Sequence, residues 1–163
     1  MPRQQHFHDK TLSALGSPSY LVRRLLLAFA EHYEPLFAPA NITYPQWTIL
    51  MLLYGDMART SADMARQMSH DAGAMTRLVD QLEKRGLLTR VRDTADRRAV
   101  NLVLTAEGRA LADSLKGRVV DFLNVALTDF SKDDLATWLK LTMRMIDLVE
   151  ARPAGALEKK SAR

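Results

Sequence analysis

Apolar residues recur at helical spacing along most of the chain and alternate in one short stretch. Leu21, Val22, Leu25, Leu26, Phe29, Ala30 and Tyr33 repeat three and four residues apart over a wide arc. Ser17-Pro18 supplies a helix cap and a first-position proline, and Pro35 and Pro39 are expected to close this helix. A second helix opens at "TYPQ", with Thr43 and Gln46 in capping-box spacing, runs through Trp47, Ile49, Leu50, Leu52 and Leu53, and ends at Gly55. "TSAD" from Thr60 opens a short third helix through Met64, Ala65 and Met68. Asp71 caps a fourth that Gly86 stops near Arg85. In this fourth helix Met75, Leu78, Val79 and Leu82 form one stripe for burial, opposite a face of Ala72, Gly73, Thr76, Arg77 and Asp80.

The alternating stretch is "LTRVRDTADRRAVNLVLT", Leu88 to Thr105: two strands around a charged turn, with Leu87, Val100, Leu102 and Leu104 expected in the core. A long helix follows, capped by Thr105 and reaching about Phe130. Ser131 opens the last one, through Leu135, Trp138, Leu139, Met145, Ile146 and Val149. The expected fold is mostly α (α+β). Residues 1–40 are read as an N-terminal arm and dimerisation helix, 41–108 as a winged helix-turn-helix domain with a two-stranded wing, 109–152 as C-terminal dimerisation helices, and 153–163 as a loose polar tail. The terminal helices are too apolar around their circumference for monomeric surface helices, which implies a homodimer.

Composition narrows the function. The chain has no cysteine, which excludes disulfides, thiol redox chemistry and thiolate metal sites. His6 and His8 have no third ligand near them in sequence, so no metal is expected. The first residues have no apolar signal segment, and the apolar runs fall short of the ~20 residues that span a bilayer, so a cytoplasmic protein with no membrane partner is expected. Motifs for metalloprotease, phosphate-loop or serine-hydrolase chemistry are absent, which argues against an enzyme. Of the net charge of +4, three units fall between Arg59 and Arg98, where nine Lys or Arg face six Asp or Glu.

Two short helices, a tight turn and a hairpin suit double-stranded DNA. The N-terminal half of the fourth helix fits a major groove: Ala72 and Gly73 permit close approach, Thr76 can touch a thymine methyl or a phosphate, and Arg77 can reach a guanine edge. His70, in the turn, can reach phosphate. Adjacent arginines at a hairpin tip, Arg97 and Arg98, can enter a neighbouring minor groove. Asp96 would be repelled by phosphate and is assigned to holding Arg98 in direction. Arg66 and Arg90 are read either as phosphate contacts or as arginines that are solvated or paired within the chain. Lys84 and Arg85 are accounted for by the dipole of the helix they end. The alternative is a winged-helix module that binds protein, which would more readily carry large exposed apolar residues on the outer face of the fourth helix.

"LEKRGLLTRVRDTADRRAVNLVLTAEGRAL", Leu82 to Leu111, with "DAGAMTRLVDQLEKRGL" and "TYPQWTILMLL" upstream, resembles the MarR family of transcriptional regulators. The elements L-x-x-x-G-L-[IL]-x-R, D-R-R and L-T-x-x-G occur in order, and the resemblance runs from about Pro18 to Leu148. It implies a homodimer that binds a short inverted repeat and releases it on sensing a small molecule, often a phenol or an aromatic carboxylate, with no other cofactor. By the family pattern Arg98 is the minor-groove arginine and Arg97 a phosphate contact. Candidates for the effector cavity are Arg24, His32, Tyr33 and Trp47, with ordinary core positions as the competing reading for His32 and Trp47.

Overall fold

The computed structural model describes residues 6–8, 12–93 and 100–152. Its elements are α1 (Pro18–Phe37), a 3-10 turn (Ala38–Ala40), α2 (Tyr44–Tyr54), α3 (Ser61–Gln67), α4 (Ala72–Lys84), β1 (Leu88–Arg92), β2 (Val100–Leu104), α5 (Ala106–Ala126) and α6 (Lys132–Glu150). The chain divides into two compact units, one up to Asp121 and one from Phe122.

Local caps start the helices where the sequence places them. Thr43 with Gln46, Thr60 with Asp63 and Ser131 with Asp134 each form a reciprocal capping box. Ser17 and Asp71 accept from Tyr20 N–H and Ala74 N–H. Each cap satisfies an amide that the first helical turn leaves without a partner, and contributes about 1 kcal/mol.

In the first unit the core forms where α2, α3, α4 and the hairpin meet. Ile49, Leu50, Met64, Met75, Val79 and Leu82 are fully buried, each contributing about 1.5–3 kcal/mol by leaving water. Gly86, at φ +68°, turns the chain out of α4. β1 and β2 then pair antiparallel, Leu88 opposite Leu104 and Arg90 opposite Leu102. The far edge of β2 gains a rung from Leu102 N–H to Arg59 O at 2.7 Å. Gly108, in the first turn of α5, is fixed by proximity: a Cβ there would lie 1.8 Å from Leu87 O.

Three expectations are corrected. Pro35 lies inside α1 and does not end it, and Pro39 lies in the following 3-10 turn. Proline cannot donate to the Glu31 carbonyl, but Glu31 is solvent-exposed, and buried Tyr33 and Phe37 hold the last turn against α2. Val100 is exposed, because β2 leaves the core towards its outer end and only Leu102 is fully covered. In the second unit α5 stops at Ala126, short of Phe130. The Thr128 hydroxyl bonds the Asn124 and Val125 carbonyls, and Phe130 N–H closes a tight turn onto Leu127 O. The tail from residue 153 lies outside the described residues.

Among the described residues no helix is long and apolar enough to cross a membrane, and no three His, Cys, Asp or Glu side chains converge on a metal site.

Candidate nucleic-acid interface

α3 and α4 are joined by a turn of four residues. Ser69 adopts a left-handed conformation at φ 51°, and His70 N–H reaches back to Ala65 O at 2.9 Å. The His70 ring is half-buried, with Nδ1–H donating to Met68 O at 2.7 Å. The neutral ring therefore presents Nε2 as an acceptor.

α4 is sharply two-faced. Met75, Val79 and Leu82 are wholly buried, while Ala72, Gly73, Thr76, Arg77 and Asp80 are exposed. Its first turn is organised by Asp71, whose carboxylate accepts from Ala74 N–H at 2.8 Å. That bond, then the Gly73 amide and the Arg77 charge, hold the Asp71 carboxyl below the usual carboxylate range. A Cβ on Gly73 would lie 3.2 Å from Asp71 Oδ1 and 3.7 Å from Arg77 Nη1. Arg77 thus folds back over the glycine towards the helix start. The Thr76 hydroxyl donates to Ala72 O at 2.8 Å. No large apolar residue is exposed on α4.

Several of the basic residues have partners within the chain. Arg66 pairs with Asp63, and Arg90 pairs with Asp80 at 2.6 Å and with Glu83. Asp63 is itself held low, first by the Thr60 hydroxyl. Arg85 reaches 44 residues back, donating to Asn41 O and, at 2.8 Å, to Ala40 O. This clasp ties the end of α4 to the entry of α2 and has no local sequence signal. Inside it, Gln46 Nε2 donates to Gln81 Oε1 at 2.9 Å. Asp96, Arg97 and Arg98 lie outside the described residues.

Of the effector candidates, the structure brings two together. Tyr33 and Trp47 meet with ring centroids 6.1 Å apart, in a cluster that includes Phe29, Phe37 and Tyr44. Burial raises the Tyr33 phenol above its ordinary pKa. Trp47 Nε1 is buried and makes no hydrogen bond to any described residue. Arg24 and His32 differ from these two in exposure. Both are exposed on α1, where His32 Nδ1 bonds Ala28 O at 2.8 Å. At the other end of α2, the Tyr54 hydroxyl donates to Asp113 at 2.6 Å, with Arg109 and Lys116 over its ring.

Comparison with known proteins agrees with this architecture. A family model described as "MarR family" matches residues 42–100. The organic hydroperoxide resistance transcriptional regulator of Bacillus subtilis (strain 168) is 37% identical over 83 residues, which are 51% of this chain and 56% of that protein. The chain thus spans little more than half the length of that relative. The uncharacterised HTH-type transcriptional regulator YsmB of the same organism is 31% identical over 139 residues, covering 84% of this chain and 94% of YsmB. A crystal structure of NadR in complex with 4-hydroxyphenylacetate superposes with a TM-score of 0.73 at 25% identity, covering 83% of this chain and 98% of NadR. With its helix-turn-helix, paired strands and flanking helices in the same order, the chain belongs to the MarR family.

Proposed function

We propose that this protein is a homodimeric transcriptional repressor that binds an inverted-repeat operator and leaves it when a small aromatic or phenolic effector binds. The observation that carries the reading is the division of α4: Met75, Val79 and Leu82 buried on one face with Leu78 half-buried beside them, the other face small and polar with Arg77 over Gly73 at the helix start. Such a face admits close approach to base edges, where Ala72 and Gly73 give room and Thr76 and Arg77 supply contacts. Phosphate contacts come from His70 and Arg97, and Arg98, steered by Asp96, takes the minor groove. The absence of exposed large apolar side chains on α4 speaks against the protein-binding alternative. The protein acts in the cytoplasm, on double-stranded DNA.

The effector reading rests on the aromatic cluster. A buried indole N–H without an acceptor costs about 1–3 kcal/mol, and a phenol or carboxylate docking against Tyr33 and Trp47 supplies that acceptor. The 4-hydroxyphenylacetate bound by NadR has this chemistry. Ligand binding would favour a spacing of the two recognition helices that no longer fits successive major grooves.

The test is selection of bound sequences from a random duplex pool, repeated with phenols and aromatic carboxylates present. An enriched inverted repeat with half-sites ~34 Å apart, lost with one class of compound, is the expected result. Folded, dimeric protein that enriches no sequence would transfer the assignment to a protein-binding module.

A further inference from the structure

The exposed face of α4 carries a liability for DNA binding. Asp80 stands one turn beyond Thr76 and Arg77, and Glu83 follows it, so two carboxylates flank the surface proposed to approach phosphate. Both keep solvent access, with side-chain exposures of 56% and 35%. Arg90 on β1 meets both. Its Nη2 donates to Asp80 Oδ1 at 2.6 Å, its Nη1 to Glu83 Oε2, and its backbone N–H to Glu83 Oε1 at 3.3 Å. The two ends of the guanidinium fork are thus spent on two different carboxylates of one helix, a geometry that lysine cannot reproduce.

We propose that Arg90 is a positioning residue for operator recognition: it screens Asp80 and Glu83 from the DNA backbone and anchors β1 to α4, and does not itself contact phosphate. The inference rests on the DNA-binding reading above. Without Arg90 the cluster would present two uncompensated negative charges beside the groove-facing residues. Asp80 would also compete for Arg77, three residues before it on the same face. In the structure Arg77 turns the other way, towards Gly73 and Asp71, while Asp80 is occupied by Arg90. Arg90 is the Arg that closes the L-x-x-x-G-L-[IL]-x-R element, and the cluster gives that residue type a physical reason.

The experiment measures binding to the duplex selected by the wild-type protein, by fluorescence anisotropy across a salt series. It uses Arg90→Ala, Arg90→Lys, Asp80→Asn/Glu83→Gln and the triple variant, whose amide acceptors retain the size of the carboxylates. Arg90→Ala should weaken binding on the order of tenfold. The double variant should bind more tightly than wild type, because its net charge at the cluster changes from negative to positive. The triple variant should recover to within about threefold of the double. Arg90→Lys should lie between wild type and Arg90→Ala, and it serves if the alanine variant melts below the assay temperature. A direct phosphate contact predicts the opposite: a triple variant as weak as Arg90→Ala, with the salt slope lowered by about 1. That result, or weaker binding by the double variant, would overturn the proposal. If wild-type protein selects no duplex, the DNA-binding reading itself fails, an outcome separable from all of these.

Discussion

α4 and α6 have the same kind of sequence and opposite fates. Each is an amphipathic helix opened by a side-chain cap, with apolar residues three and four apart. In α4 three residues of the stripe, Met75, Val79 and Leu82, are at zero exposure, and Leu78, expected with them, is half-buried at its edge. In α6 no residue is buried, and Leu139 and Ile146 remain 50% and 41% exposed. α1 repeats the pattern, with Tyr33 and Phe37 buried but Leu21, Leu25 and Leu26 open. Helical periodicity therefore says that a face is made for burial, and leaves open whether the same chain covers it. The regions with a finished core form the winged domain; those with an unfinished one are the helices assigned to the dimer.

The largest effect expected from this contrast is at α6. Leu139→Glu with Ile146→Glu places charge on a face that the proposed dimer covers in both copies. At about 1.5–3 kcal/mol for each apolar side chain, dissociation should become easier by at least ~10³-fold. Sedimentation velocity should show monomer at micromolar concentration, with operator binding lost and the winged domain still folded. An unchanged sedimentation coefficient would mean that this face is covered by something other than a second copy.

Gly108→Ala tests the finished core. The added methyl meets the Leu87 carbonyl carbon and oxygen at 2.8 and 1.8 Å, backbone atoms that can yield only by shifting β1 or α5. Overpacking of this kind costs about 1–3 kcal/mol, occasionally more. It should lower the urea midpoint equally at every protein concentration, whereas the proposed dimer predicts a wild-type midpoint that rises with concentration. A concentration-dependent loss at Gly108 would couple the wing base to dimerisation and erase the distinction between the two regions.

Local features were legible from sequence because their partners lie within a few residues. The boxes at Thr43, Thr60 and Ser131, the Asp71 cap and the Met75–Val79–Leu82 stripe all belong to this class. The Arg85 clasp on the Asn41 and Ala40 carbonyls was not legible, since a residue ending a helix is already accounted for by the helix dipole. For Arg90 the sequence does not choose between phosphate contact and internal pairing, because its partners lie on another element. Pro35 runs against the interior-helix rule because its lost bond falls on solvent-exposed Glu31 and buried Tyr33 and Phe37 hold the last turn. In the candidate site, the exposed face of α4 followed from periodicity, whereas the meeting of Tyr33 with Trp47 depends on how α1 packs on α2.

The smallest effects come from the caps, and they separate the two regions by acid sensitivity. Thr60→Ala, in the winged domain, and Ser131→Ala, before α6, should each cost about 1 kcal/mol. The Thr60 hydroxyl is the main cause of the lowered pKa of Asp63, and the Ser131 hydroxyl of that of Asp134. A carboxyl whose folded pKa lies below its unfolded value stabilises the fold fully above the unfolded value near 3.8, and loses that contribution as pH falls through the folded one. Removing either hydroxyl should therefore flatten the loss of stability in that acid range and leave the pH dependence above 5 unchanged. For Thr60→Ala the change should appear in the melting of the winged domain at any concentration. For Ser131→Ala it should appear in the monomer–dimer equilibrium as well, because α6 carries an apolar face that the proposed dimer covers.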